Sequence, residues 1–502
     1  MRKGVDNKNL SKIAIRGSAY NLLSLLVSKF GGLIFTVIIA RVLLPELFGV
    51  YSLVLSIATI FLTLTDLGLD NTFLRYLSES AGKRNKKLSR GIFKYIFKIK
   101  GLLILFSVIL LLIISKYLSY SIYEKPLLFY PLLFSCLWII FDSLRTFFWN
   151  IFIATKDFRP PVFFDVSSQI LKILFSVFAI LIFTDSMKVS GIFIAFFVSS
   201  FFTLILISFV LLKKHKSFLL GKKENVDKSK INSYWKFMVF TTVSLALFGS
   251  VDTLMLGKFV SLEYLGYYRS AMSIVLTLAS AFSLSWAFFP IFTQIKGARF
   301  QRGFNKVLKY ILIFSIPATA AIIFLGKYII KVIYGNEYLL GATSIYFLSL
   351  LIITTPLIGL YSVIFQSKEK PQILSKSVLF SLIINILLNL LVIFLFNDNP
   401  LFITAGVSLA TSVSRIFLLG LLVFYAKKEF NFGVRGIGLR APIFATVIMS
   451  LFLVTFNYFV DINIWYGILE VISGAIIYFI FLMLGKGLDK DDWKLVKGII
   501  ER

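Results

Sequence analysis

Apolar residues run along this chain in blocks of about 20, parted by short polar connections. Fourteen such blocks are read: 18–40, 47–68, 92–114, 127–150, 163–183, 190–212, 235–256, 267–289, 307–326, 341–365, 373–396, 401–425, 441–460 and 464–484. A hydrocarbon core about 30 Å thick takes about 20 apolar residues of α-helix to cross. Backbone amides in lipid must bond within their own segment, so each block predicts a helix. A transmembrane β-barrel would instead alternate apolar and polar residues in runs of about ten, and no such alternation is present. The pattern predicts an all-α integral membrane protein of about 14 transmembrane helices.

Composition sharpens this picture. The 502 residues are 58% hydrophobic and 15% charged, against roughly 25% charged in a typical soluble domain. The net charge of +29 would suit a nucleic-acid partner, but its distribution argues against one. Lys and Arg crowd the N-terminus, alternate connections and the C-terminal tail, and the opposite connections hold only seven of the 53. That asymmetry follows the positive-inside rule, so both termini are expected in the cytoplasm and the chain in the cell membrane. The basic connections are expected to rest on anionic lipid headgroups. The longest, Leu69–Gly91 and Lys213–Tyr234, are too short to fold as domains, which need about 50 residues. A lone cysteine, Cys136, excludes an intrachain disulfide. No cleavable signal peptide is apparent, because the first 17 residues are polar and basic and the next block is long enough to stay as a helix.

An internal repeat organises the helices. A shift of 217 residues lays Arg41, Glu46, Gly49 and Tyr51 over Lys258, Glu263, Gly266 and Tyr268, and Ser56-Ile57 over Ser273-Ile274. Each copy joins the first helix of a six-helix half to its second. Six intervening helices give both halves the same orientation, a parallel repeat about an axis along the membrane normal. The expected division is an N-terminal lobe over 1–212 (helices 1–6), a basic cytoplasmic linker over 213–234, and a C-terminal lobe over 235–425 (helices 7–12). Helices 13–14 and the tail follow over 426–502.

The stretch Ile39-Ala-Arg-Val-Leu-Leu-Pro-Glu-Leu-Phe-Gly-Val-Tyr-Ser-Leu-Val-Leu-Ser56, with Asp66-Leu-Gly-Leu69, resembles the N-terminal signature of polysaccharide biosynthesis flippases. These O-antigen-type lipid-linked oligosaccharide flippases belong to the multidrug/oligosaccharidyl-lipid/polysaccharide exporter superfamily. Asp252-Thr-Leu-Met-Leu-Gly257 and Leu265-Gly-Tyr-Tyr-Arg-Ser-Ala271 resemble the matching segment of helices 7 and 8. The resemblance implies two bundles in a V around a central cavity. It also implies a lipid-linked oligosaccharide carried from the cytoplasmic to the outer leaflet by alternating access.

Charges inside apolar blocks are the candidate chemistry, since an ionisable group at bilayer depth usually faces a cavity or a partner. Lys29, Lys172 and Arg415 lie mid-way along helices 1, 5 and 12, and Arg145 on helix 4 is one turn from Asp142. These four cations are the expected substrate-binding residues of a central cavity, because Arg grips phosphate bidentately and Lys meets it as a point charge. Asp142 and Asp252 are the candidates for ion coupling. The plainer readings stay open. Asp142 and Arg145 at i,i+3 would simply neutralise one another, Arg269 and Glu470 would reach the outer interface, and Asp66 and Asp70 would serve the end of helix 2. Asn385 and Asn389 on one face of helix 11 would bond between helices. Trp138, Trp149 and Trp286 are candidates to stack on sugar rings.

Enzyme signatures are missing. There is no glycine-rich phosphate loop with a following Lys-Ser/Thr, no Cys/His set for zinc, and the single His215 lies in the basic linker. No catalytic residue, metal or cofactor is expected. The expected partners are the lipid-linked substrate and membrane lipids, with the protein a monomer near glycan-assembly proteins. Two alternatives remain at this point: a cation-coupled small-molecule or drug antiporter of the same superfamily, and a membrane polysaccharide polymerase or glycosyltransferase.

Overall fold

The computed structural model describes the backbone of residues 7–488 except 84, 220, 222–223, 284–296, 369, 431–437 and 461–463. Side chains are described for the same residues apart from 7–29, 217–219, 237, 297–299 and 464. Among these residues the chain is helical and contains no strand. The helices are α1 (Asn7–Asp66), α2 (Leu69–Gly82), α3 (Lys86–Tyr117), α4 (Phe129–Ala154), α5 (Arg159–Ile182), α6 (Lys188–Leu219), α7 (Lys228–Phe259) and α8 (Leu262–Ala281). They continue as α9 (Gly297–Tyr334), α10 (Ala342–Leu348), α11 (Leu351–Ser367), α12 (Pro371–Leu395), α13 (Pro400–Phe430), α14 (Arg440–Phe459) and α15 (Ile464–Leu484).

Every expected apolar block falls at least in part on one of these helices. Eleven helices among the described residues are long and apolar enough to cross a membrane. A twelfth span joins Asn336–Leu348 to Leu351–Ser367 across a 47° bend. Two features separate this count from fourteen. First, α1 holds two expected spans. At 1.5 Å per residue an unbroken helix of 60 residues would reach about 90 Å, three times a hydrocarbon core. The helix breaks at Leu44 (φ 61°, ψ 171°), because Pro45 excludes the helical conformation from the residue before it and starts the next segment. Second, α8 has a polar first half with Glu263, Arg269 and three tyrosines, which lowers its hydropathy.

Packing divides the chain into two compact units, Met1–Gly266 and Tyr267–Arg502. In the first, α7 packs against α1 and α2. A buried aromatic cluster centred on Phe73, Phe93, Phe147, Phe152 and Phe164 ties α2 to α3, α4 and α5, and the Phe73 and Phe147 rings stack with centroids 4.4 Å apart. Lys125, between α3 and α4, donates to the carbonyls of Gly257 (2.5 Å) and Val260 (2.7 Å) at the end of α7. Such contacts satisfy the orphan carbonyls of a helix C-terminus. In the second unit α14 and α15 pack antiparallel and against α9 through Ile313, Leu325, Met449, Leu453, Tyr478 and Leu482.

The repeat has a direct structural counterpart. A Cβ on Gly49 would lie 1.9 Å from the Leu262 carbonyl oxygen, and one on Gly266 would lie 2.2 Å from the Pro45 carbonyl oxygen. The 217-residue shift turns Gly49 into Gly266 and Pro45 into Leu262. The contact is therefore its own image under the repeat, the reciprocal pattern that a two-fold axis produces. Glycine is required on both sides because backbone meets backbone there.

Candidate functional site

Three helices of the first unit, α4, α5 and α6, enclose a polar pocket of about 200 Å³. Asp142 and Arg145 from α4, Asp165, Gln169 and Lys172 from α5, and Ser200 from α6 line it, with Trp138 and Phe196 as aromatic walls. The α5 side chains fall at i, i+4 and i+7, one face of the helix. On α4, Trp138, Asp142 and Arg145 repeat that spacing. Two polar faces on otherwise apolar helices have turned toward each other rather than toward lipid.

The electrostatics are specific. Arg145 Nε lies 2.7 Å from Asp142 Oδ1, a half-buried ion pair. Ser200 Oγ donates to the same carboxylate oxygen at 3.2 Å. Lys172 differs. Its ammonium sits 4.1 Å from the centroid of the Phe196 ring and 4.6 Å from that of Phe35, with no carboxylate within ion-pair distance among the described residues. Cation–π contacts contribute about 0.5–2 kcal/mol, enough to hold the charge in place but not to neutralise it. Trp138 meets Phe196 with ring centroids 5.4 Å apart, and Phe35 and Phe196 also touch Tyr51. The ammonium is thus held by rings rather than by a directly paired carboxylate.

The structure brings together four of the residues singled out from sequence: Trp138, Asp142, Arg145 and Lys172. Asp142 and Arg145 pair with each other, as their i,i+3 spacing suggested, and both also line this pocket. This pocket alone is charge-balanced rather than cationic, because Asp165 stands beside them. The remaining candidates lie elsewhere. Asp252 is buried on α7 outside the pocket lining. Arg415 is on α13 in the second unit. Lys29 is on α1, and its side chain lies outside the described residues, as does Trp286. Trp149 packs against the buried aromatic cluster instead of lining the pocket. Sequence reasoning missed Asp165, Ser168, Gln169, Ser199 and Ser200. The available signal was the polar spacing on α5, masked because Asp165 sits near the end of an apolar block.

Other expectations change. Glu470 does not reach an interface; it is fully buried. Asn385 is buried on α12, and neither of its amide atoms has a hydrogen-bond partner among the described residues, so the expected bond between helices is not seen there. Asp66 and Asp70 pair with Lys100 on α3, at 3.7 and 3.2 Å, while Arg75 stacks over Tyr234 at 4.2 Å. The Gly68 and Asp70 amides donate to the two Asp66 carboxylate oxygens at 3.1 and 2.7 Å. Burial pushes the Asp70 carboxyl up to about 7, with Asp66 adding to the shift and Lys100 opposing it.

Residues 14–296, more than half of the chain, match the family described as Polysaccharide biosynthesis protein. The chain belongs to that family. No curated protein matches it in sequence. Among solved structures, a lipid II flippase, MurJ, in an inward closed conformation is similar over 92% of this chain and 97% of its own, at 19% identity and TM-score 0.65. The MATE multidrug transporter DinF-BH is similar over 85% and 96%, at 17% identity and TM-score 0.58. An inward-facing multidrug resistance MATE family transporter of the MOP superfamily covers 82% and 96%, at 14% identity and TM-score 0.57. This polysaccharide biosynthesis family member is thus a multi-pass membrane protein with the exporter fold of that superfamily. Its polar pocket lies inside one unit of that fold.

Proposed function

We propose that this protein flips a polyprenyl-(pyro)phosphate-linked oligosaccharide from the cytoplasmic to the outer leaflet, by alternating access, for assembly of a cell-surface polysaccharide. The observation that carries the reading is the Lys172 ammonium, caged by Phe35 and Phe196 and without a carboxylate partner, inside a polar pocket of a polysaccharide-biosynthesis chain. An ammonium held at membrane depth by aromatic rings, with no carboxylate in ion-pair contact among the described residues, suits a cargo that brings a phosphate. Arg145, already paired, would orient the cargo through its remaining N–H donors. Trp138 offers a flat wall for a sugar ring. In the second unit, an apolar cleft of about 200 Å³ between α9, α14 and α15 has the chemistry for part of a hydrocarbon chain.

A second reading, a cation-coupled exporter of small molecules, draws on Asp142 and Asp165, since a cationic cargo wants carboxylates. One experiment separates the two. Lipid-linked glycan on the cytoplasmic face is compared between a deletion strain and the same strain carrying wild type, Lys172→Gln or Lys172→Glu at matched protein levels. Accumulation is expected in the deletion and in both variants. A charge-assisted contact contributes about 1.5–3 kcal/mol, so Gln should slow flipping about tenfold or more, and Glu further because it repels the phosphate. Wild-type flipping by the Glu variant would overturn the assignment of Lys172. Absence of accumulation in the deletion strain would overturn the flippase reading itself.

A further inference from the structure

Glu470, on α15, is 0% exposed, and neither of its carboxyl oxygens has a hydrogen-bond or ion-pair partner among the described residues. The surrounding geometry makes this a site rather than an accident of packing. Helices α14 and α15 run antiparallel, and Gly474 seats against Leu453, whose Cδ2 would lie 3.2 Å from an added Cβ. Counted one turn from that contact toward the connecting segment, Asn457 of α14 and Glu470 of α15 fall in register. The Asn457 Oδ1 is also buried without a hydrogen-bond partner. Each of these three acceptor oxygens is buried, and none has a hydrogen-bond partner among the described residues. In the other direction, Val471, Gly474, Ala475 and Tyr478 of the same helix line the apolar cleft between α9, α14 and α15.

No neighbouring element supplies a counter-charge among the described residues. On α14 the titratable groups are Arg440, at the far end of the helix, and Tyr458, which is exposed. On α9, Lys327 and Lys331 are exposed and Tyr328 is half-buried, and at the level of the cleft that helix presents Phe314, Pro317, Ala318 and Ala321. On α15 itself, Tyr466 lies one turn before Glu470, and Tyr478, two turns beyond, donates its hydroxyl to the Ile313 carbonyl. An ionised carboxylate in this place would be an uncompensated charge in an apolar interior, a state that proteins remove by neutralising the group. Hard metal cations need several oxygen ligands, more than one carboxylate and one amide oxygen supply. A proton needs one oxygen only.

We propose that Glu470 is a proton-binding site: with the proton on, α14 and α15 stay packed together, and proton release to water requires that packing to open. Loading forms one O–H bond on a carboxyl oxygen, and release returns that proton to the water that enters. Anything that loosens the α14–α15 packing favours release, and anything that favours release loosens that packing, because the two equilibria are linked. This holds whatever cargo the protein moves, so it goes beyond the flippase reading and does not depend on it.

The test uses the purified full chain in lipid nanodiscs, comparing wild type with Glu470→Gln. Difference infrared spectroscopy across a pH series should show a carboxylic-acid carbonyl band in wild type that is missing from the variant and disappears as pH rises. Amide hydrogen exchange, corrected for its intrinsic pH dependence, should rise in α14 and α15 over the same pH range in wild type and stay low in the variant. If the Gln variant does not accumulate folded, Glu470→Leu replaces it. Identical infrared spectra in wild type and variant at every pH, a Glu470-dependent band that no pH removes, or equal exchange profiles would each overturn the proposal.

Discussion

A single carboxyl shows how burial turns residue identity into pH behaviour. Asp70 sits in the first turn of α2, a helix too polar to span, with Lys100 at 3.2 Å and Asp66 beside it. Its carboxyl is pushed up to about 7, against about 3.9 in an unfolded chain. Between those values the folded state holds a proton that the unfolded state has lost. Stability therefore falls as pH rises from about 4 to about 7, by up to ~1.4 kcal/mol per pH unit. Asp70→Asn removes this dependence and leaves Asp66 to pair with Lys100. Thermal unfolding at pH 5 and pH 8 should show the melting temperature of the variant gaining on wild type at the higher pH. A difference that does not change with pH would refute the assignment. Lys172 makes a complementary point: sequence placed its charge in the membrane, but only the fold supplied Phe35 and Phe196 to hold it.

At the scale of elements, the clearest case is the pair of connections that carry the repeat. Gly49 and Gly266 each bring backbone against the carbonyl of the other copy's connection. A methyl group at either position forces two segments apart at a close-packed contact, which typically costs about 1–3 kcal/mol or more. Gly49→Ala and Gly266→Ala should each lower the melting temperature and the yield of folded protein. Gly101→Ala on α3, where nothing lies within 4 Å, should be neutral or stabilising by about 0.5–1 kcal/mol, as Gly→Ala is inside a helix. Equal effects at all three sites would show that the interlock does not stabilise the fold. The sequence spacing identified the repeat, but it gave no hint that the two copies touch. The expected hydrogen-bond role of Asn385 failed for a related reason: a helix face can be read from spacing, while the group opposite it cannot.

The whole molecule adds the question of orientation. The skew of Lys and Arg toward alternate connections motivates a topology with fourteen crossings and both termini inside. Reporter fusions after Asn399 and Asp461 should read outside, and those after Lys222 and Lys428 inside. Reversal at two or more sites would sink that topology. The all-helical exporter fold, the family and the membrane setting were legible from sequence, because a bilayer leaves few ways to satisfy a backbone and hydropathy is written residue by residue. Most of the site was not. Asp165 and Gln169 lie 20 residues or more from Asp142 and Arg145 along the chain, and only the packing of α5 against α6, and of α6 against α4, closes a pocket around them. The tertiary structure likewise decided the partners: Lys100 for Asp66 and Asp70, aromatic rings rather than a carboxylate for Lys172, and none among the described residues for Glu470. Hydrophobicity is a property of each residue and survives in a linear reading, whereas pairing is a property of two surfaces and exists only once the helices have packed.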